Sequence, residues 1–210
     1  MKVIGDIHLV DGTFANVYLI RRGEKLLVVD AGLPGEYEKV LRYIEKLGHL
    51  PEDVETIIVT HAHHDHVGSL KDLKDATGAN IAAHKDEVPY LKGEKTFRSE
   101  IEPVDVEIKL NDGDEVHGLK VIHSPGHTPG SICLLDLKTK ALFVGDLVME
   151  ENGKLEEIPH HYSLDPMKNR EAIRRLLDID FVHLLPSHGT PILNEGKEKL
   201  RELVERLQLE

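Results

Sequence analysis

Apolar residues come in short blocks and alternations through the first thirty positions. Residues 3–10, 16–21 and 25–30 read as strands, divided by turns at Asp11-Gly12 and Arg22-Gly23. A helix is predicted after Pro34, because Val40, Leu41, Ile44 and Leu47 recur at the spacing of one helical face and Gly48 ends it. Thr56, Ile57, Ile58 and Val59 form a β-branched block of the kind that makes a buried strand. Val67, Leu70 and Leu73 then mark a helix stopped by Gly78, and residues 81–83 a further buried strand. Residues 85–103 are mixed and charged, and the pattern there predicts only a short helix and a mobile loop. Strands resume at 107–110, 119–123, 131–137 and 141–145, with turns at Asn111-Asp112-Gly113 and Lys138-Thr139-Lys140. Asp165 reads as an N-cap with Pro166 in the first turn of a helix whose apolar face is Ile173, Leu176 and Leu177. Residues 181–185 read as a strand. Asn194 is placed to cap a last helix with Leu200, Leu203, Val204 and Leu207 on one face.

The order is strands, helix–strand units, strands, then helix–strand–helix. The two halves are alike in outline without a sequence repeat. Two sheets packed face to face with helices outside would bury every one of these apolar faces. The 210 residues are enough for one well-buried core or for two halves sharing one, and a single domain over 1–210 is expected.

Chemistry collects where apolar blocks end. Directly after residues 56–59 stands Thr60-His61-Ala62-His63-His64-Asp65-His66. His61 and His63 are two apart, which points both imidazoles to one side of an extended strand end. Asp65 and His66 open the next helix and can be aimed at a second point nearby. Imidazole and carboxylate are the ligand types that suit zinc, iron or manganese. Four more candidates each follow a short apolar run: Asp30 in Val-Val-Asp-Ala-Gly, His127 in Ser-Pro-Gly-His-Thr-Pro-Gly, Asp146 in Val-Gly-Asp, and His188 in Pro-Ser-His-Gly. Strand ends are where loops carry function.

Composition narrows the classes. Forty per cent apolar and 30% charged residues describe an ordinary soluble protein. A formal net charge of −12 points away from nucleic acid, which needs clustered Lys and Arg. No apolar run approaches a membrane span, and the amino terminus does not resemble a signal peptide. With one cysteine, Cys133, no intramolecular disulfide can form, so a reducing cytoplasm is expected. Flanked by Ile132, Leu134 and Leu135, Cys133 is read as a core residue. A single glutamine amid abundant Glu and Lys hints at heat adaptation. The expected partner is a small-molecule substrate, with neither nucleic acid nor membrane; a homo-oligomer stays open.

Taken in order, Asp30, His61-Ala62-His63-His64-Asp65-His66, His127, Asp146 and His188 resemble the five motifs of the metallo-β-lactamase-fold hydrolase superfamily. The resemblance covers nearly the whole chain. It implies an α/β fold, a four-layer αββα sandwich of two mixed β-sheets with helices on the outer faces. It also implies two divalent metal ions, with zinc first and iron or manganese as alternatives. His61, His63 and His127 would hold one ion, Asp65, His66 and His188 the other, and Asp146 would bridge them. Asp30 would be a buried residue orienting a ligand. A water or hydroxide between the metals would be the nucleophile, with Asp65 and Asp146 able to accept its proton.

The branch follows from details. An aspartate at 146, where the common zinc β-lactamases carry cysteine, resembles the glyoxalase II-like thioester hydrolases and the lactonases. Histidine at 63 separates the chain from the flavodiiron branch, which carries glutamate there. Thioester hydrolases acting on glutathione conjugates add a helical domain after the last histidine. Only 22 residues follow His188, which points away from glutathione. No large insert of the nuclease type is visible. The implied activity is hydrolysis of a small thioester, ester or lactone. Two other classes stay open: an iron dioxygenase acting on a persulfide, with one iron on His61, His127 and Asp146, and a metal-binding protein without catalysis.

Other histidines are given quieter roles. His64 is expected to face solvent or a neighbouring loop, and His8, His49, His84, His117, His123 and His183 to be surface or packing residues. The loop 147–163 starts at Asp146 and carries Glu150, Glu151, Glu156 and Glu157 before His160-His161-Tyr162. Its end is expected to wall the substrate pocket, with His161 or Tyr162 donating to a substrate oxygen. A solvated loop with a packed tyrosine is the alternative.

Overall fold

The structure, a computed structural model, describes residues 1–208. It divides into two compact units, Met1–Leu110 and Asn111–Glu210.

The first unit carries a sheet in the order β1 (Lys2–Ile4), β2 (Ile7–Leu9), β3 (Tyr18–Arg22), β4 (Lys25–Val29), β5 (Val54–Val59), β6 (Asn80–His84) and β7 (Ile108–Leu110). β1 to β4 form an antiparallel meander, and β4 to β7 pair in parallel. Parallel strands need crossovers, which α1 (Tyr37–Lys46), α2 (His64–Val67), α3 (Leu70–Thr77) and α4 (Val88–Leu91) supply. Of the predicted helical face Val40 and Ile44 are buried and Leu41 and Leu47 half-buried; with Tyr43, which the pattern did not mark, Val40 and Ile44 pack with Leu70 and Leu73 on Leu19, Val28, Ile57 and Ile81. Ile57 and Ile58 are both fully buried, so β5 is covered on both faces, as a β-branched block of this kind should be.

The expected strand over 3–10 is in fact two, because Gly5 takes φ +52° and folds the run into a hairpin. The helix expected through Val67, Leu70 and Leu73 is also two. Loop 32–34 approaches the backbone at Gly68 so closely that a Cβ there would lie 2.5 Å from Pro34 Cδ. Ser69 fastens that loop: its hydroxyl donates to Leu33 O at 2.6 Å and accepts from Tyr37 N at 3.1 Å.

In the second unit the sheet order is β14-β11-β10-β9-β8. Its strands are β8 (Glu115–Val116), β9 (Leu119–His123), β10 (Ile132–Asp136), β11 (Ala141–Gly145) and, after the hairpin below, β14 (His183–Pro186). Only the β11–β14 pairing is parallel. The stretch expected as a loop after Asp146 folds into a hairpin, β12 (Val148–Glu151) with β13 (Lys154–Glu157), whose turn is Asn152-Gly153, both at positive φ. Asp165 caps α5 (Pro166–Arg175), accepting from Lys168 N at 3.1 Å. Asn194 does not cap α6 (Gly196–Gln208): it takes φ +68°, and its N–H donates to His183 Nδ1 at 2.9 Å. Ile173, Leu176, Leu200, Leu203, Val204 and Leu207 pack on Leu142, Val144 and Leu184. No helix among the described residues is long and apolar enough to cross a membrane.

Gly126, at φ +141°, lets the loop before His127 meet the first turn of α5; a Cβ there would lie 2.2 Å from Asn169 N. Gly126→Ala should therefore cost about 1–3 kcal/mol by overpacking and backbone strain. Gly153→Ala, at φ +81° with open space around it, is the control for strain alone. Equal losses of melting temperature in the two variants would show that the close approach contributes nothing.

Candidate metal centre

In the first unit β4 and β5 run in parallel, with Val29 beside Ile58, so their carboxyl ends leave the sheet at one edge. Ligand sites in parallel sheets form outside such ends. Asp30 follows β4 in the left-handed conformation, φ +62°, which is uncommon for a residue other than glycine. Its carboxylate is buried and takes three donors from across the β5 end. Thr60 N donates to Oδ1 at 2.8 Å, Thr60 Oγ1 to Oδ2 at 2.7 Å, and His66 Nδ1 to Oδ2 at 2.9 Å. A carboxylate only accepts, so the proton of His66 is held on Nδ1 and Nε2 is the lone-pair nitrogen. The backbone repeats the clamp, with Ala31 N donating to His66 O at 2.7 Å.

The other candidates of this unit gather around that ring. The centroids of His61 and His66 lie 4.0 Å apart and those of His61 and His63 4.8 Å. Asp65 Oδ2 is 3.5 Å from His66 Nε2. Three protonated imidazoles at these distances would repel one another. Neutral rings at strand-end spacing, beside a carboxylate, are the donor set that a borderline divalent cation takes. His64 is half-buried.

The second unit builds its own donor set in the same way. β11 and β14 are parallel, Gly145 beside Pro186, which brings Asp146 and His188 to one edge. β10 is antiparallel to both β9 and β11, so the 124–131 turn carries His127 to that edge too. His127 Nε2 lies 3.5 Å from Asp146 Oδ2, and His188 Nε2 lies 3.5 Å from Asp146 Oδ1. The two oxygens of one buried carboxylate thus face two different imidazoles. His127 is held from behind by Ser163 Oγ, 3.4 Å from Nδ1, and by Leu164 N donating to its carbonyl at 3.1 Å. His188 is held by the β12–β13 hairpin, where Glu150 N donates to His188 O at 2.9 Å. The Glu150 carboxylate accepts from Thr190 N at 2.7 Å and Gly153 N at 2.6 Å, and these bonds hold it below the usual carboxylate range.

Sequence reasoning missed several supporting residues. Thr60 and Ser163 are among them, and so is Glu87, whose fully buried carboxylate accepts from Ala62 N at 2.7 Å. Glu87 lies in the stretch without periodicity, and its contact spans 25 residues, so no local signal marks it. His161 and Tyr162 sit on a 3₁₀ turn with ring centroids 4.0 Å apart, and Tyr162 is 53% exposed. Cys133 is fully buried, and burial pushes its thiol up to about 12, which removes it as a nucleophile. Of the remaining histidines, His8 Nδ1 lies 3.3 Å from Tyr43 Oη, His49 Nδ1 3.2 Å from Asp53 Oδ2, and His123 Nε2 2.9 Å from Pro129 O.

The Metallo-beta-lactamase superfamily sequence model matches residues 10–188, and the chain belongs to that superfamily. It is 29% identical to a Beta-lactamase-like protein 2 homolog of Caenorhabditis elegans, over 90% of this chain and 60% of that one. The chain thus spans less than two thirds of that relative's length. It is also 29% identical to Acyl-coenzyme A thioesterase MBLAC2 of Gallus gallus, over 91% of this chain and 77% of that protein. Among solved structures, a metallo-beta-lactamase family protein of Thermus thermophilus aligns with a TM-score of 0.79 at 21% identity, over 97% of this chain and 80% of that one. These likenesses show the fold class, the αββα sandwich of two mixed sheets.

Asp30→Asn keeps a residue that tolerates the left-handed backbone but removes the carboxylate that orients His66. Metal affinity should fall roughly 10- to 100-fold with the circular dichroism spectrum unchanged. Competition against a chromophoric chelator reads this, and an affinity equal to wild type would detach Asp30 from metal binding.

Proposed function

We propose that residues 1–210 act as one metal-dependent hydrolase domain in which the two donor sets form a dinuclear centre acting on a small acyl substrate. A thioester is the first candidate, an ester or lactone the next. The observation that carries the reading is Asp146: a carboxylate whose two oxygens face two different imidazoles is suited to join two ions. His61, His63 and His127 are the ligands assigned to one ion, and Asp65, His66 and His188 to the other. Zinc suits this imidazole–carboxylate set, with iron and manganese as alternatives. The thioester preference draws support from the acyl-coenzyme A thioesterase relative and from an aspartate, not a cysteine, at 146.

Bound divalent ions supply Lewis-acid polarisation of the substrate carbonyl and acidify a water molecule toward neutral pKa. The residues do the rest. Asp30 fixes the His66 tautomer, so no ring must reorient during turnover. Asp65, with its side chain 24% exposed, can take a proton from the attacking water at Oδ2 and pass it to solvent. Asp146 is 8% exposed and keeps both oxygens engaged by histidines, which suits positioning more than proton transfer. His161 and Tyr162 are assigned to substrate contact, because the turn they sit on leads directly into the Leu164 bond to His127 O. The net charge of −12 and the single buried cysteine support a small-molecule substrate, not nucleic acid, and a cytoplasmic setting.

Elemental analysis of reconstituted protein should return two metal ions per chain. A saturated value of one would replace this reading with the single-iron dioxygenase. Asp146→Ala should bind fewer than two ions and lose at least ~100-fold in kcat/KM, about 2.7 kcal/mol of transition-state stabilisation, while its circular dichroism is retained. Unchanged turnover with two ions bound would refute the bridging assignment.

A further inference from the structure

The stretch that carries no periodicity, 85–103, builds a cavity beside a candidate ligand. α4 opens it, and the backbone then folds back on itself: Glu94 N and Lys95 N both donate to Pro89 O, at 2.9 and 3.0 Å, and Val104 N donates to Leu91 O at 2.8 Å. Inside this fold the rings of Tyr90 and Phe97 stack in parallel, centroids 3.9 Å apart and planes at 2°. Phe97 also meets His63 edge to face at 4.8 Å. Beside these rings lies a cavity of about 280 Å³ with an apolar wall of Ala62, Tyr90, Phe97, Ile101 and Pro103 and an exposed polar rim of Lys95, Thr96, Ser99 and Glu100. Ala62 is the residue between His61 and His63, so one wall of the cavity is the ligand loop itself, held rigid by Glu87.

We infer that this cavity binds the apolar acyl group of the substrate and sets its length, with Tyr90 and Phe97 as the shelf on which that group lies. The assignment of the group as acyl rests on the hydrolase reading above; the affinity of the cavity for an apolar chain does not. Three features support it. Phe97, backed by Tyr90, whose ring also lies under the Lys95 ammonium at 5.7 Å, offers an aromatic face, and aromatic side chains contribute large apolar contact with little conformational freedom to lose. The volume falls just below the range of about 300–1,000 Å³ typical of sites that engulf a drug-sized ligand, so it suits one branch of a molecule. The Phe97 contact with His63 puts the cavity one ring away from a candidate metal ligand.

The test uses the metal-loaded full chain and straight-chain carboxylates from acetate to octanoate, the products of acyl hydrolysis, titrated calorimetrically. Every member carries the same carboxylate, so the slope of affinity with chain length isolates the apolar site. Wild type should gain roughly three- to fivefold per methylene until the cavity is filled. Phe97→Ala, which removes half of the shelf, should flatten that slope to under twofold. Thr96→Trp, a change at an exposed position that fills the cavity from outside, should shift the preference to acetate. Equal metal content and circular dichroism qualify both variants. A slope identical in all three proteins, or no dependence on length in wild type, overturns the inference. The kcat/KM values of the matching thioesters separate the two claims. Absent turnover with the binding slope intact fails the hydrolase reading alone, whereas turnover without any length dependence fails the cavity alone.

Discussion

One buried carboxylate organises the first unit's donor set. Asp30 accepts from Thr60 twice and from His66 once, and so joins the end of β4, the end of β5 and the short helix α2 at a single point. Without it, three buried donors would lose this acceptor, and a buried donor left unsatisfied costs about 1–3 kcal/mol. The position of the His66 ring, the register of the His61–His63 turn and the tautomer of His66 all derive from that bond set. The left-handed backbone at Asp30 is the strained conformation these bonds maintain, and such conformations persist where surrounding contacts over-determine them.

The same topological constraint acts in both units. A parallel pair of strands puts two carboxyl ends side by side, and each end carries a candidate ligand or its support: Asp30 with Thr60, Asp146 with His188. Parallel pairing also requires long crossovers, so residues that meet at such an edge are far apart in sequence. Asp30 and His66 are separated by 36 positions. The turn between β9 and β10 adds His127 by an antiparallel route. Membership of the metallo-beta-lactamase superfamily agrees with a fold whose chemistry is carried at strand ends on loops braced from behind.

Those braces are polar, and two of them, Glu87 and Ser69, are buried. Glu87 holds the Ala62 amide, Ser69 holds the loop before α1, and Glu150 holds the His188 loop through the Thr190 amide. Apolar contacts would fill the same volumes, but they have no direction. A carboxylate accepting a backbone N–H fixes a loop to within a hydrogen-bond length, which a metal site requires of its ligands. The hairpin of β12 and β13 serves the same end, since Gly189 passes so close to Glu150 that a Cβ would lie 2.2 Å from its carbonyl oxygen.

Much of this was legible along the chain. The buried strand over 56–59 and the helical faces of Val40–Ile44 and Leu200–Leu207 follow from periodicity, and the Asp165 cap from local chemistry, because each depends on neighbours within one turn or one pleat. The candidate ligands were legible too, since each directly follows an apolar block, and their order matches one superfamily. What periodicity could not supply were contacts closed over long distances. The split of α2 from α3 comes from Pro34 reaching Gly68, and the displaced role of Asn194 from its bond to His183. The hairpin after Asp146 was hidden because its strands are short and rich in glutamate, and the cavity beside His63 because charged, aperiodic residues build it. By itself the sequence determined which residues could form strands and helices and which side chains could bind a cation, since both are local properties of residue type and spacing. Only the tertiary structure decided which carboxylate orients which ring, because a hydrogen bond depends on distance in space, and strand pairing, not chain order, sets that distance.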